Sequence, residues 1–356
     1  MIFNLTEGEY QQFCIMAAPS KPGGCKGKLV MASAGRYASI DIGTNTLRLL
    51  IVEIGAGGFL TPIHCERVIT RLGGGYSEEK GISPASVKRT LDTLKEFSNL
   101  VKEYGVGDVY AAATSVVRRA VNRDEFIRAI KETAGFETNV ISGDEEARLS
   151  MLGVLSVIRG GEARRLIMDI GGGSTEFVAM DNGDMVGAWS IELGVVHLAE
   201  RYIKGDPPEE RELSDMEGNI RNMLDRLKRR ISIDGLDPLL YSGQGGAGFI
   251  GTAGTVTTLA ALDQGLQDYD PKKINNYILK RGDIKGHYNH LASLKLEERR
   301  NMAALEDGRE DIIIAGASIA LESMKAFNFE SMTVSDSGLL EGILIDRLRG
   351  DCPTGG

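Results

Sequence analysis

Leu166-Ile-Met-Asp-Ile-Gly-Gly-Gly-Ser-Thr-Glu-Phe-Val178 repeats the plan of Ala38-Ser-Ile-Asp-Ile-Gly-Thr-Asn-Thr-Leu-Arg-Leu-Leu50. In each copy an apolar strand ends in an aspartate (Asp41, Asp169), passes through a glycine turn and opens a second strand. Two copies of one strand-turn-strand opening predict two similar domains facing each other. Outward from the first copy, the pattern reads strands over 37–41 and 47–54 and around 63–70. A helix is expected from Ser83-Pro84, because serine caps helices and proline suits the first helical position. A strand over 109–113, a helix from Asn122 that stops at Gly135, and a strand over 138–142 complete the first half. Outward from the second copy come a strand over 189–193, a helix through Leu198 and Tyr202, a charged helix over 209–230 and the turn Gly251-Thr-Ala-Gly-Thr. An apolar helix over 311–324, a strand over 331–334 and a last helix after Gly338 follow. Strands alternating with helices after an opening meander define an α/β layer fold.

The chain has 356 residues, 42% of them hydrophobic, and 45 glycines, enough for a large core and two domains. With 41 basic against 50 acidic residues the formal charge is -9, and the pI is near 5.2, which argues against non-specific nucleic-acid binding. Any polyanion must be held by a local basic site. The longest apolar run, 312–321, is broken by Gly316 and Ser318, so no membrane span is expected. Cys14, Cys25, Cys65 and Cys352 form no C-x-x-C pair, which points to a reducing cytoplasm rather than a disulfide or zinc framework. Residues 1–36 lack apolar periodicity and a signal-peptide pattern, and read as a disordered or extraneous N-terminal tail, with Met31 just ahead of the ordered pattern.

A strand that ends in aspartate beside glycine backbone places a carboxylate next to unencumbered N–H groups, a combination suited to a metal-bound phosphate. Two such turns, the second with Gly171, Gly172 and Gly173 in succession before Ser174, weigh more than one, since three glycines cost backbone entropy that a turn does not require. Glu176 alternates out of its strand to the side of Asp169, giving a carboxylate pair for magnesium; the alternative is an exposed strand residue. Gly254 and Thr255 belong to a third glycine-threonine turn ahead of a helix whose N-terminus could take an anion or a nucleotide. Ser142 and Glu145 have capping-box spacing, which employs Glu145 structurally and leaves Glu146 for orienting and deprotonating a water. Of Arg118 and Arg119, adjacent after a strand, one is expected to grip phosphate oxygens. His287 and His290 read as a polar surface turn, and no serine or cysteine nucleophile signature is present.

Seven segments, Asp41-Ile-Gly-Thr-Asn-Thr, Arg71-Leu-Gly-Gly-Gly, Ala113-Thr-Ser-Val-Val-Arg, Ile141-Ser-Gly-Asp-Glu-Glu-Ala-Arg, Asp169-Ile-Gly-Gly-Gly-Ser-Thr-Glu, Gly251-Thr-Ala-Gly-Thr and Ser335-Asp-Ser-Gly-Leu-Leu-Glu-Gly, occur in one order. In this the chain resembles the exopolyphosphatase and guanosine pentaphosphate phosphatase (Ppx/GppA) family of the actin-like ATPase superfamily. The resemblance implies two ribonuclease H-like domains around a cleft: domain I over 37–142 with the C-terminal helix 338–350, and domain II over 143–337. It implies Glu146 as catalytic base, Asp169 and Glu176 with Asp41 as the metal site, and Thr44, Asn45, Arg118 and the 171–174 loop as phosphate ligands. Magnesium, or manganese, is the implied cofactor. Arg119 stands where the family usually carries an acidic residue and Leu340 where it carries a basic one. The chain ends at Gly356 without the C-terminal helical domain of longer relatives, so the short form is expected. The first expectation for activity is an exopolyphosphatase acting on inorganic polyphosphate. Beside it stand guanosine pentaphosphate hydrolysis, an ATP-binding kinase or ATPase, and a phosphate-sensing protein. No nucleic-acid or membrane partner is expected, and a homodimer stays open.

Overall fold

The structure, a computed structural model, describes residues 13–14, 35–55 and 59–349. The chain forms two compact units, 1–157 with 337–356, and 158–336. Unit 1 begins with β1 (Phe13–Cys14), β2 (Arg36–Ile42), β3 (Thr46–Ile54) and β4 (Phe59–Ile69). It continues through α1 (Pro84–Glu103), β5 (Asp108–Ala113), α2 (Ser115–Arg119), α3 (Arg123–Ala134), β6 (Thr138–Val140) and α4 (Gly143–Val157). Its sheet runs β1-β4-β3-β2-β5-β6, with β2, β3 and β4 an antiparallel meander and β5 and β6 parallel to β2. Six of the seven β2 residues are buried, the mark of a central strand covered on both faces.

Unit 2 repeats this plan. It holds β7 (Arg164–Ile170), β8 (Thr175–Asp181), β9 (Asp184–Ile191), α5 (Val195–Tyr202), α6 (Glu210–Ile233), β10 (Gly248–Thr252) and α7 (Ala253–Asp263). The rest is α8 (Pro271–Ile274), β11 (Ile278–Lys280), α9 (Arg281–Ser293), α10 (Leu296–Arg300), α11 (Ile313–Ala326) and β12 (Ser331–Val334). The order β11-β12-β10-β7-β8-β9 again joins an antiparallel meander to two parallel strands, with β11 added antiparallel at the edge. The duplication visible in two short segments thus extends to both sheets, as ribonuclease H-like domains require. The final helix, α12 (Leu339–Leu348), belongs to unit 1.

The local signals act as expected at several ends. Ser83 caps α1 by accepting from the Ser86 amide at 3.2 Å, and Gly135 closes α3 in the left-handed region with φ 80°. Two expectations need correction. The segment 1–36 lies largely outside the described residues, yet Phe13 pairs with Leu60 and Cys14 with Phe59, and Arg36 opens β2. Without β1, β4 would end its sheet, and an edge strand's backbone groups accept any extended segment the chain brings to them. The boundary expected at 142 falls at 157 instead, because α4 packs on α12. That packing is backbone to backbone: a Cβ on Gly153 would stand 1.8 Å from the Gly338 carbonyl oxygen, and one on Gly342 1.7 Å from that of Leu149. Gly153→Ala is therefore expected to cost about 2 kcal/mol or more, read as a lowered melting temperature, since the atoms it meets are main chain and cannot swing aside.

Candidate active site

The carboxyl ends of the parallel strands gather the sequence motifs, as open α/β sheets generally do. In unit 1, Thr114 donates its amide to the Ile42 carbonyl and Ile141 to that of Ala113, so the Asp41 turn, the start of α2 and the start of α4 lie at one end of the sheet. In unit 2, Thr252 pairs with Asp169 in register and the Ser335 amide donates to the Gly251 carbonyl, which brings the second Asp turn, the Gly254 turn and Ser335 together.

The two Asp turns are built alike. Gly43 donates to the Thr46 carbonyl at 3.1 Å and Gly171 to the Ser174 carbonyl at 2.9 Å. A Cβ on either glycine would lie 2.9 Å from that same oxygen, so both turns require glycine for a close backbone approach. What stands opposite the aspartate separates them. In unit 1, Asp41 faces Arg48 across β2 and β3, and Arg48 donates to its Oδ2 from Nε at 3.0 Å and from a terminal nitrogen at 2.7 Å. In unit 2 the corresponding pair is Asp169 and Glu176, two carboxylates directly opposed across β7 and β8. Like charges in that position repel unless a cation or a proton joins them. Glu176 is 2% exposed and accepts from the Ser190 hydroxyl at 2.7 Å. Period-two alternation along β3 would have found Arg48, as it found Glu176 along β8.

Asp41 and Thr44 are buried, and Asp41 Oδ1 and Thr44 Oγ1 make no hydrogen bond. Asn45 is buried beside them, and its carbonyl accepts from the Arg71 amide while the Thr44 carbonyl accepts from Gly73, so the Arg71-Leu-Gly-Gly loop is stitched to this turn. Arg71 has φ 50°, a strained conformation for a long side chain. In unit 2, the carbonyls of Gly171 and Gly172 accept from the first amides of α5, Val195 and Val196. With the Gly171 amide already donating to Ser174, that anchoring leaves the amides of residues 172–174 as what the loop can offer an anion. A Cβ on Gly194 would come within 2.3 Å of Gly173, so the helix start and the loop are in main-chain contact. Ser174 is buried beneath the same turn.

On α4, Glu146 is largely buried and its Oε2 accepts from Arg118 at 3.0 Å; Arg118 donates also to the Ile141 carbonyl at 2.9 Å. Arg119 points elsewhere and lies over the Tyr76 ring, 5.6 Å from its centroid, so the adjacent arginines diverge. Ser142 forms its half of the capping box, its hydroxyl accepting the Glu145 amide at 3.1 Å. The Glu145 carboxylate does not turn back to the serine; both its oxygens accept from Arg148 at 2.8 Å.

The third turn holds a side chain that sequence reasoning missed. A Cβ on Gly254 would strike the Arg309 guanidinium at 2.3 Å, so Arg309, buried and held by Glu306 at 2.6 Å, lies directly over the glycine. No local pattern links positions so far apart in sequence. Thr255 turns inward, since a Cβ on Gly316 of α11 would be 2.4 Å from its hydroxyl oxygen; the turn offers its backbone rather than that side chain. His287 sits on α9, not on a surface turn, with Nε2 2.9 Å from Asp263. Leu340 is buried in unit 1, as an apolar residue at that position should be. Among the described residues no three His, Cys, Asp or Glu side chains gather as a metal cage, and no helix is long and apolar enough to cross a membrane.

Residues 50–350 match the model of the Ppx/GppA phosphatase family. A protein of Mycobacterium tuberculosis named exopolyphosphatase 2 is 32% identical over 322 residues, covering 87% of this chain and 98% of that one. The crystal structure of the Aquifex aeolicus member of the Ppx/GppA family is 33% identical, covers 88% of this chain and 98% of its own, and superposes with a TM-score of 0.71. An exopolyphosphatase structure from Cytophaga hutchinsonii is 28% identical with a TM-score of 0.79 over 89% of this chain and the whole of that one. With its duplicated Asp-Gly turns, its two matching sheets and these relatives along most of its length, the chain belongs to the Ppx/GppA phosphatase family.

Proposed function

We propose that this phosphatase is an exopolyphosphatase that, with magnesium or manganese, hydrolyses the terminal phosphoanhydride of inorganic polyphosphate and releases orthophosphate. The observation that carries the reading is the opposed Asp169–Glu176 pair beside the 171–174 loop. Two carboxylates in register across paired strands, with no third His, Cys, Asp or Glu gathered beside them among the described residues, suit a hard divalent cation whose other ligands would be water and phosphate oxygens. They would hold the metal, Glu176 steadied by Ser190. Bound there, the ion supplies positive charge against the phosphate oxygens during transfer. Asp41 is neutralised by Arg48 and keeps one buried oxygen for a donor such as water; we assign it a supporting place, with the metal resting on the unit 2 pair.

The rest follows from the chain's own groups. In unit 2 the amides of Gly172, Gly173 and Ser174 bind phosphate oxygens, and in unit 1 the amides of the Thr44–Asn45 turn are suited to the same task, so that backbone dipoles supplement the few cations in a protein of net charge -9. Glu146, held through Oε2 by Arg118, orients a water and takes its proton as the oxygen attacks the terminal phosphorus in line with the leaving phosphate. Phosphate transfers directly to water, and no covalent enzyme intermediate is required.

Arg118 carries the main side-chain charge on substrate in this reading. Arg118→Ala is expected to raise KM for polyphosphate roughly ten-fold at saturating magnesium, as loss of a charged hydrogen bond does. Arg118→Lys should recover only part of it, because a point charge cannot donate to Ile141, Glu146 and substrate as a planar fork can. An unchanged KM in the alanine variant would remove Arg118 from substrate binding.

The function itself is tested by phosphate release from short and long polyphosphates, guanosine pentaphosphate and ATP, with and without magnesium. Metal-dependent release from polyphosphate above the other substrates is expected. Preference for guanosine pentaphosphate, or turnover of ATP alone, would overturn the proposal.

A further inference from the structure

The first turn of α4 carries Asp144, Glu145 and Glu146 in succession. A helix N-terminus favours negative charge, but adjacent carboxylates repel and compete for one cation. The structure divides the cations between them. Arg148, three residues after Glu145 and on its side of the helix, donates from Nε to one Glu145 oxygen and from a terminal nitrogen to the other, both at 2.8 Å. Its remaining terminal nitrogen donates to Asp346 of α12 at 2.9 Å. Glu146 is held by Arg118 at 3.0 Å.

We propose that Arg148 is a positioning residue that sorts these two neighbouring carboxylates, clamping Glu145 so that Glu146 alone engages Arg118. The proposal rests on the reading of Glu146 as the base. Three observations support sorting rather than simple bracing. The arrangement is bidentate, with both Glu145 oxygens taken, and so fixes the direction of that side chain as well as its charge. The Glu145 hydrogen bonds, with the one to Asp346, raise the Arg148 guanidinium above its ordinary pKa against burial that lowers it, and two of these three bonds go to Glu145. Lastly, α4 is fixed independently by its main-chain contacts with α12 at Gly153 and Gly342. Loss of Arg148 would therefore release the Glu145 side chain without turning the helix. A released Glu145, one position from Glu146, can draw Arg118 away from the base and crowd the base with a second negative charge.

The test measures steady-state polyphosphate hydrolysis and thermal melting for Arg148→Met, Glu145→Gln, the Arg148→Met/Glu145→Gln double variant and Asp346→Asn, with Glu146→Gln as reference. Arg148→Met should lose roughly ten-fold in kcat with little change in KM, the signature of a misplaced catalytic group. The double variant should regain most of that loss, because the competing carboxylate is gone. Glu145→Gln alone should stay within about two-fold of wild type, since Ser142 still caps the helix. Asp346→Asn should lower the melting temperature and leave kcat nearly unchanged. A double variant as slow as Arg148→Met, or an Arg148→Met as fast as wild type, overturns the proposal. A fully active Glu146→Gln would instead sink the base assignment on which it stands. If Arg148→Met does not fold, Arg148→Lys serves: it keeps a charge for Asp346 but loses the fork, and its slower turnover must again be rescued by Glu145→Gln.

Discussion

Glu146→Gln is expected to lower kcat by roughly 100-fold or more with little change in substrate affinity, as loss of a general base does. The substitution is nearly isosteric and stays within hydrogen-bond reach of Arg118, so the helix start and its contact with the β6 end should survive. The amide can still accept from Arg118 and can still bind water, but it has no basic oxygen to receive the water's proton. Melting temperature should move little, because the side chain is a member of the site rather than of the core. Glu145→Gln in the same assay is the internal comparison. Equal losses in the two variants would abolish the distinction between a base and its clamped neighbour, and an active Glu146→Gln would mean that water is activated elsewhere.

Glu176→Gln should raise the magnesium concentration needed for half-maximal activity roughly ten-fold or more, the scale seen when groups around a metal are altered. The reason lies in the register of β7 and β8. Opposed carboxylates at Asp169 and Glu176 repel when both are ionised and no cation joins them, and a divalent ion converts that repulsion into attraction. Glutamine relieves the repulsion and removes one anionic ligand, so the apoprotein should melt no lower, and its amide oxygen can still accept from the Ser190 hydroxyl. Affinity for metal and stability without metal are thus expected to move in opposite directions. Titrating magnesium at saturating polyphosphate reads the first and melting with a chelator reads the second. An unchanged magnesium requirement would take Glu176 out of the metal site.

The sequence by itself determined what depends on near neighbours along the chain. An aspartate followed by glycine at the end of an apolar strand dictates a tight turn, and its recurrence at Asp41 and Asp169 announced two copies of one sheet. Ser83-Pro84 and Gly135 set helix ends because capping is a matter of a few adjacent residues and their φ values. The divergence of Arg118 and Arg119, and the sharing of a sheet face by Asp169 and Glu176, likewise follow from the local geometry of helix and strand.

The tertiary structure decided which partners those residues met. Glu145 turned to Arg148 rather than back to Ser142, since a bidentate charged contact outcompetes a bond to one amide. Arg309 came to lie on Gly254, Thr255 turned into α11, and α4 joined unit 1 through glycines of α12 near the other end of the chain. These outcomes depend on packing between segments distant in sequence, where glycine contacts and buried charge pairs select one arrangement from many that the local pattern allows.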